Sequence, residues 1–309
     1  MGTTQTQYAP SAYLGLWTRL DGFEREALTR ALERRTVVQG TMMRNTIHVA
    51  SPRDYWPLVL AIRPARMAWS RRIQKTEPRE LERAARRLRA FLSGRPRSQR
   101  EIVESLGDEV WRPGIAIWLD LVRVPPSGTW ERRRADLFAL AEEWVGPEPE
   151  LDHEEAVEHL VRRYLGAFGP ARRIEIADWA GMRVGTLEPA LERMRLRRFR
   201  DEQGRELMDV PRAPLPAPET PAPPRFLPVW DATLLVHARR TGILSEEHRS
   251  RIFNTKTPHS FNTFLVDGRV AGTWRYEKGR VALEPFRPLT REAREELHEE
   301  AERLAAFHA

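Results

Sequence analysis

Two side-chain amides stand two residues apart near the start of the chain: Gln5 and Gln7 in QTQYAPSAYLGLW, with Thr6 between them and a helix opening at Pro10. A primary amide offers one carbonyl acceptor and two N–H donors but no charge. On an extended segment residues i and i+2 project to the same side. Two amides at this spacing can therefore hold a water molecule and aim it. They cannot take its proton as a carboxylate would. The same pattern also describes a solvated loop, so the pair acquires meaning only from what surrounds it.

Other polar groups are grouped in ways that invite chemistry. In RTVVQGTMMRNTIHVAS, two β-branched runs around Gly40 predict a hairpin with Arg44, Thr46 and His48 on one face. In RMRLRRFR, Arg195, Arg197 and Arg198 fall at the end of a helix and in the strand after it, where they can reach phosphates beside a groove. HARRTGILSEEHRSRIF crowds His237, Arg239, Arg240, His248 and Arg249, a pattern that equally fits an amphipathic surface helix. HEEAVEH does not make a zinc site: His153 and His159 are six apart, about 240° around a helix, and cannot share a face as i, i+4 ligands do. No Gly-rich loop followed by Lys-Ser/Thr is present, so nucleotide hydrolysis is unsupported. The absence of cysteine excludes disulfides, iron–sulfur clusters, thiolate zinc sites and a cysteine nucleophile. No metal and no cofactor is expected.

The elements that must position these groups follow from apolar spacing. Tyr13, Leu16, Trp17 and Leu20 recur at i, i+3, i+4 and i+7 behind Pro10, and a second helix is predicted near 24–34. Residues 80–92 set Leu81, Ala84, Ala85, Leu88 and Phe91 on one face and arginines on the others, and Ser98 with Glu101 forms a capping box opening a short helix. The pattern is clearest over 155–210: a helix ending near Phe168, a short helix in IEIADWAGM, a third in TLEPALERM, then two strands about a turn at Asp201–Gly204. Helix, helix, helix and hairpin is the plan of a winged helix. The proline-rich stretch 211–228 reads as a semi-rigid linker without regular structure. Beyond it, turns at Asp267-Gly268 and Lys278-Gly279 separate short strands suggestive of a small barrel, and an acidic helix over 290–307 closes the chain.

At 309 residues the chain exceeds one comfortable core. Its net charge is +7, yet residues 61–100 alone carry thirteen Arg and Lys against three Glu. A basic excess so concentrated points to a polyanion, most often nucleic acid.

The runs QTQYAPSAYLGLWTRL, MMRNTIHVASPRDYW, LVHARRTGILSEEHR and FLVDGRVAGTWR, in this order, resemble the winged-helix DNA glycosylase family of AlkZ and YcaQ, from Gln5 to near Phe286. The resemblance implies three tandem winged helices shaping a basic surface for duplex DNA, a C-terminal β-barrel, and unhooking of interstrand crosslinks. It also implies an essential glutamine, one intervening residue, then glutamine or aspartate, a motif that Gln5 and Gln7 match in its AlkZ-like form. Two departures stand out: Thr6 replaces a residue that is usually apolar, and the family normally has one or two further helices upstream, which leaves the first winged helix incomplete, through either a start codon assigned too late or a real truncation that would threaten the fold of that module.

These readings combine into one expectation. The fold is mainly α with small β elements (α+β): an incomplete winged helix 1 over 1–52, winged helix 2 over 53–150, winged helix 3 over 151–212, a linker over 213–228 and a barrel-like module with a terminal helix over 229–309. The activity is metal-independent hydrolysis of the N-glycosidic bond of alkylated purines of the N7-guanine type, with Gln5 and Gln7 as catalytic residues. Arg44, His48, Arg195, Arg197, Arg198, His237, Arg239 and Arg240 are the expected DNA or lesion contacts. The partner is duplex DNA, alkylated or crosslinked, bound by a soluble, cytoplasmic, nucleoid-associated bacterial monomer with no membrane or nucleotide partner. The alternative is a non-catalytic winged-helix DNA-binding protein or transcriptional regulator.

Overall fold

The computed structural model describes residues 2–73, 77–108, 118–236, 241–254 and 259–309. They divide into two units, Met1–Ala9 with Leu28–Ala213 and Pro10–Ala27 with Pro214–Ala309. No helix among the described residues is long and apolar enough to cross a membrane.

The first unit is built on a six-stranded antiparallel sheet of β1 (Thr3–Gln5), β2 (Val38–Thr41), β3 (Ile47–Ala50), β4 (Arg97–Ser98), β5 (Leu121–Arg123) and β6 (Leu137–Leu140), in the order β1-β3-β2-β5-β6-β4. Pairing of Gln39 with Arg123 and Gly40 with Val122 joins two hairpins into one surface. The hairpin turn expected at Gly40 lies further on. Gly40 is inside β2, where a Cβ would stand 2.8 Å from Cε2 of the buried Tyr55 ring, so only a missing side chain lets strand and ring meet. The chain reverses instead through Met43–Asn45, with Arg44 and Asn45 at φ 53° and 58°. Arg44 is thus a turn residue and does not share a strand face with Thr46 and His48.

Helix α3 (Pro52–Ile73) packs against α7 (His153–Phe168). Asp152 and Glu155 cap α7 reciprocally, and its buried Val157, Leu160, Val161, Tyr164 and Leu165 face the core. The two histidines weighed as zinc ligands tie α7 to α3 separately: His153 Nε2 donates to the Ala61 carbonyl at 3.0 Å, and His159 Nε2 meets Asp54 Oδ1 at 2.8 Å. Helix α4 (Pro78–Leu92) buries Leu81, Ala85, Leu88 and Leu92 in a cluster with Ile102 of α5 (Gln99–Leu106), Phe138 and Leu140. The Ser98–Glu101 capping box is formed. After a short α6 (Ala141–Trp144), α7 is followed by α8 (Arg173–Ala180), α9 (Val184–Arg193) and the hairpin of β7 (Arg197–Arg200) and β8 (Glu206–Asp209), the order read from the sequence.

The second unit contains α1 (Pro10–Trp17), a four-stranded sheet and α11 (Arg291–His308); α2 (Arg25–Glu33) begins in this unit and ends in the first. The sheet holds β9 (Arg225–Leu227), β12 (Thr263–Val266), β13 (Arg269–Glu277) and β14 (Arg280–Pro285) in the order β14-β13-β12-β9. It is open, with β14 and β9 as its edges, so these strands form no closed barrel. One edge comes from the proline-rich stretch expected to lack regular structure: Arg225, Phe226 and Leu227 lie between Pro224 and Pro228, no proline interrupts the ladder, and Phe226 anchors the strand against Phe264 and Trp274. The two expected turns form with φ of 49° and 72° at Asp267 and Gly268, and 50° and 78° at Lys278 and Gly279, the signature of tight hairpins. A smaller helix, α10 (Glu246–Ile252), precedes the short strands β10 (Phe253–Asn254) and β11 (His259–Ser260). Arg19, just beyond α1, grips Asp231 with both nitrogens at 3.0 and 2.7 Å.

Candidate active site

Gln5 does not lie on a loop. The run Thr3-Thr4-Gln5 favours extended backbone and adds β1 to the sheet, placing Gln5 opposite His48 and Thr3 opposite Ala50. Gln5 is 8% exposed. The pairing runs one step past the strand, where the Thr6 amide donates to the Ile47 carbonyl at 2.7 Å. Gln7 follows, exposed, and its Oε1 accepts the Ile47 amide at 3.1 Å. One glutamine is therefore held in the sheet and the other at its margin, both against the segment 44–48.

Arg44 is what holds Gln5. Its Nη2 donates to Gln5 Oε1 at 3.2 Å and its Nη1 to the Trp179 carbonyl at 2.7 Å. That carbonyl belongs to the last turn of α8, where the helix dipole favours a cation. Two left-handed residues make the meeting possible: Arg44 itself, and Gly181 at φ 73°, which ends α8. A Cβ on Gly181 would lie 3.3 Å from both Cα and N of Arg44, so glycine lets the turn approach the helix end. Burial lowers the Arg44 pKa from its ordinary value.

His48 supports the same turn from below. It is 2% exposed. Thr46 Oγ1 donates to the Met43 carbonyl at 2.9 Å, so toward His48 it can only accept, and Nε2, 2.9 Å away, must carry the proton. Nδ1 is then the acceptor for the Thr3 hydroxyl at 3.2 Å. The neutral ring links β1 to the turn carrying Arg44. Burial first, and the Arg44 charge second, push its pKa down to about 3.

The chemistry open to this arrangement is defined by what remains unbonded. Arg44 occupies one of the two lone pairs of Gln5 Oε1, leaving the other as an acceptor. Neither Gln5 Nε2 nor Gln7 Nε2 bonds another described residue. Among the described residues no cluster of His, Cys, Asp and Glu suits a metal ion. The site can hold and orient a polar molecule, and among the described residues no carboxylate bonds either amide.

The family profile described as DNA glycosylase AlkZ-like matches residues 1–307. The chain belongs to the AlkZ-like DNA glycosylase family. Among solved structures it is similar to the Streptomyces sahachiroi DNA glycosylase AlkZ, with a TM-score of 0.84 at 21% identity, over 99% of this chain and 89% of that one. No curated protein sequence matches it. At that identity the structural likeness establishes the fold, and membership in the family makes DNA the partner.

The basic groups of this AlkZ-like chain are distributed unevenly. Arg195 is exposed on the segment after α9. Arg197 donates to the Ala213 carbonyl at 3.4 Å with its guanidinium 4.9 Å from the Phe199 ring, and Arg198 pairs with Glu206 at 2.8 Å. His237, Arg239 and Arg240 lie outside the described residues. Part of the 61–100 excess is neutralised internally: Arg63 pairs with Asp120 and Glu148, Arg66 with Asp120, and Arg89 with Glu142. Arg79, Arg83 and Arg86 stand exposed on α4 with no carboxylate partner among the described residues. Sequence reasoning missed Trp179, Gly181 and Thr3 as supports of the glutamines; a carbonyl and a glycine carry no chemical signature until the turn that needs them is placed.

Proposed function

We propose that the protein is a metal-independent glycosylase that removes N7-alkylated guanine from duplex DNA, with crosslinked guanines within its range. One observation carries the reading: Gln5 is held by a half-buried arginine so that one acceptor lone pair and two donors of its amide remain available, with Gln7 fixed two residues on at the margin of the same sheet. An N7-alkylguanine is already cationic. As the C1′–N9 bond breaks, its electron pair neutralises the ring, so the base departs neutral and needs no general acid. A water oxygen bonds to C1′, and its proton passes to bulk solvent. What the protein must supply is a water placed on the correct face, and preorganised amides do this without a base. The segment 151–212, with three helices and a hairpin, is read as one winged helix, with 1–52 and 53–150 as two more, 213–228 as a linker whose last residues supply the edge strand β9, and 229–309 as the C-terminal module. Arg195, Arg197 and Arg198 are assigned to DNA phosphates, and His48 to support of the Arg44 turn.

The test is base release from a duplex containing N7-methylguanine, read as alkali-labile strand breaks, with and without chelator. Gln5→Ala and Gln7→Ala should each slow release by roughly 10²-fold, as loss of one preorganised polar group does elsewhere, while Gln7→Asp retains activity. Wild-type protein that binds the duplex and releases no base would refute the proposal. A non-catalytic DNA-binding role would then follow, favoured by one observation: Arg44 and the Ile47 amide already engage both glutamine oxygens.

A further inference from the structure

The residue after Gln7 is one of the few large apolar side chains left in solvent: Tyr8 is 45% exposed. Its hydroxyl accepts Nη1 of Arg133 at 3.0 Å, and the guanidinium lies 5.9 Å from its ring. Arg133 is the middle one of three consecutive arginines in the loop joining β5 to β6. The outer two share one carboxylate, Arg132 and Arg134 both pairing with Asp136 at 3.5 and 3.1 Å. Arg133 has no carboxylate partner among the described residues.

This loop is braced. Ser127 Oγ donates to the Arg134 carbonyl at 2.8 Å and accepts the Asp136 amide at 2.6 Å, and the Thr129 amide donates to the Arg132 carbonyl at 3.2 Å. Nε of Arg133 reaches the Trp130 carbonyl at 3.4 Å, and its guanidinium lies 5.6 Å from the Trp130 ring, itself buried. Two sides of the guanidinium are therefore fixed, while the residue is exposed and its Nη2 bonds no described residue. An exposed aromatic ring beside a fixed, unneutralised guanidinium is the pairing that nucleotides recognise: a base stacks on the ring, and a phosphate takes the free N–H edge.

Resting on the reading of this site as DNA-directed, we propose that Tyr8 and Arg133 form a nucleotide-contact site beside Gln7, with Tyr8 stacking on a base next to the reacting nucleotide and Arg133 binding an adjoining phosphate. A purely structural role, in which the arginine staples the N-terminal segment to the loop, would cost stability and leave the dependence of DNA binding on salt unchanged.

The experiment measures affinity of the full chain for a fluorescein-labelled duplex carrying a tetrahydrofuran abasic analogue across a KCl series. A 2-aminopurine placed beside the analogue reports stacking, and urea unfolding of each variant reports stability. Tyr8→Ala should bind roughly 5- to 100-fold more weakly, the range for loss of one base–aromatic stack, with its salt slope unchanged and the 2-aminopurine quenching lost. Tyr8→Phe should keep the quenching. Arg133→Ala should reduce the log–log salt slope by about 0.9, one phosphate contact, whereas Arg132→Ala, of equal charge change, should alter it less. Tyr8→Ala binding and quenching as wild type, or Arg133→Ala with an unchanged slope, would overturn the proposal, as would wild type that binds no duplex. Since base release is not the readout, the glycosylase reading can fail while this site stands, and this site can fail while release proceeds.

Discussion

Replacing Arg44 separates two roles that a basic residue near DNA can have. As a phosphate contact, its loss would lower affinity and flatten the salt dependence of binding by about 0.9 in log–log slope. As the clamp seen here, it would do neither. Arg44→Ala removes two charge-assisted hydrogen bonds, to the Trp179 carbonyl at 2.7 Å and to Gln5 Oε1 at 3.2 Å. Each such bond contributes about 1.5–3 kcal/mol, and the site is only half-buried, so the variant should be about 2–4 kcal/mol less stable. Part of the loss is recoverable by backbone alone. Arg44 sits at φ 53°, a conformation glycine adopts freely and alanine does not, so Arg44→Gly should be about 1 kcal/mol more stable than Arg44→Ala. With Gln5 released, the single-turnover rate of base release should fall roughly 10- to 100-fold in both variants, the scale for a group misplaced by about 1 Å. The assays are urea unfolding, duplex affinity over a salt series, and single-turnover release from N7-methylguanine duplex. A flattened salt slope with stability intact would refute the clamp, and Arg44→Gly less stable than Arg44→Ala would refute the backbone argument.

Three further outcomes follow from the same geometry. The unfolded chain takes up a proton at His48 near pH 6.5 that the folded chain refuses until about pH 3, so stability from this residue is complete above that window and is lost as pH falls through it, about 2 kcal/mol between pH 7 and pH 5; urea midpoints should follow this, and His48→Gln should flatten that part of the curve. Gly181→Ala places a Cβ 3.3 Å from the Arg44 backbone at a φ of 73°, and should cost about 1–2 kcal/mol together with part of the base-release rate. In the second unit Asp231 has a side chain 1% exposed and gripped by Arg19, so Arg19→Ala strands a buried carboxylate and should cost about 3–5 kcal/mol in unfolding experiments.

How far the sequence disclosed this molecule depends on the distance over which each signal acts. Capping at Ser98, the helical register of α4, the end of α7 at Phe168 and the glycine turns at 268 and 279 act within a few residues, and the chain adopts them as read. The pairing of β2 with β5 joins residues some eighty positions apart and leaves no local mark, so nothing in the hairpin read around Gly40 shows that it shares one sheet with strands at 121–140. The strand at Arg225–Leu227 was hidden by its flanking prolines, because composition counts prolines and not the three residues between them.

The site shows the same division. QTQ announced amides able to hold water, yet alternation on an extended segment placed both on one open face, and the sheet instead encloses Gln5 while leaving Gln7 at the edge. Arg44 and His48 were singled out as polar residues in a strand pattern, and a pattern of side chains cannot show a left-handed backbone. Once Arg44 turns at φ 53° its guanidinium points inward, to a helix-end carbonyl and to Gln5, rather than outward to a phosphate. His48, with both nitrogens engaged by threonines, fixes that turn. For the proposed catalysis the consequence is physical: a neutral amide can orient water only as well as it is itself oriented, and here the orientation of Gln5 comes from a half-buried cation and a backbone conformation that no count of charged residues contains.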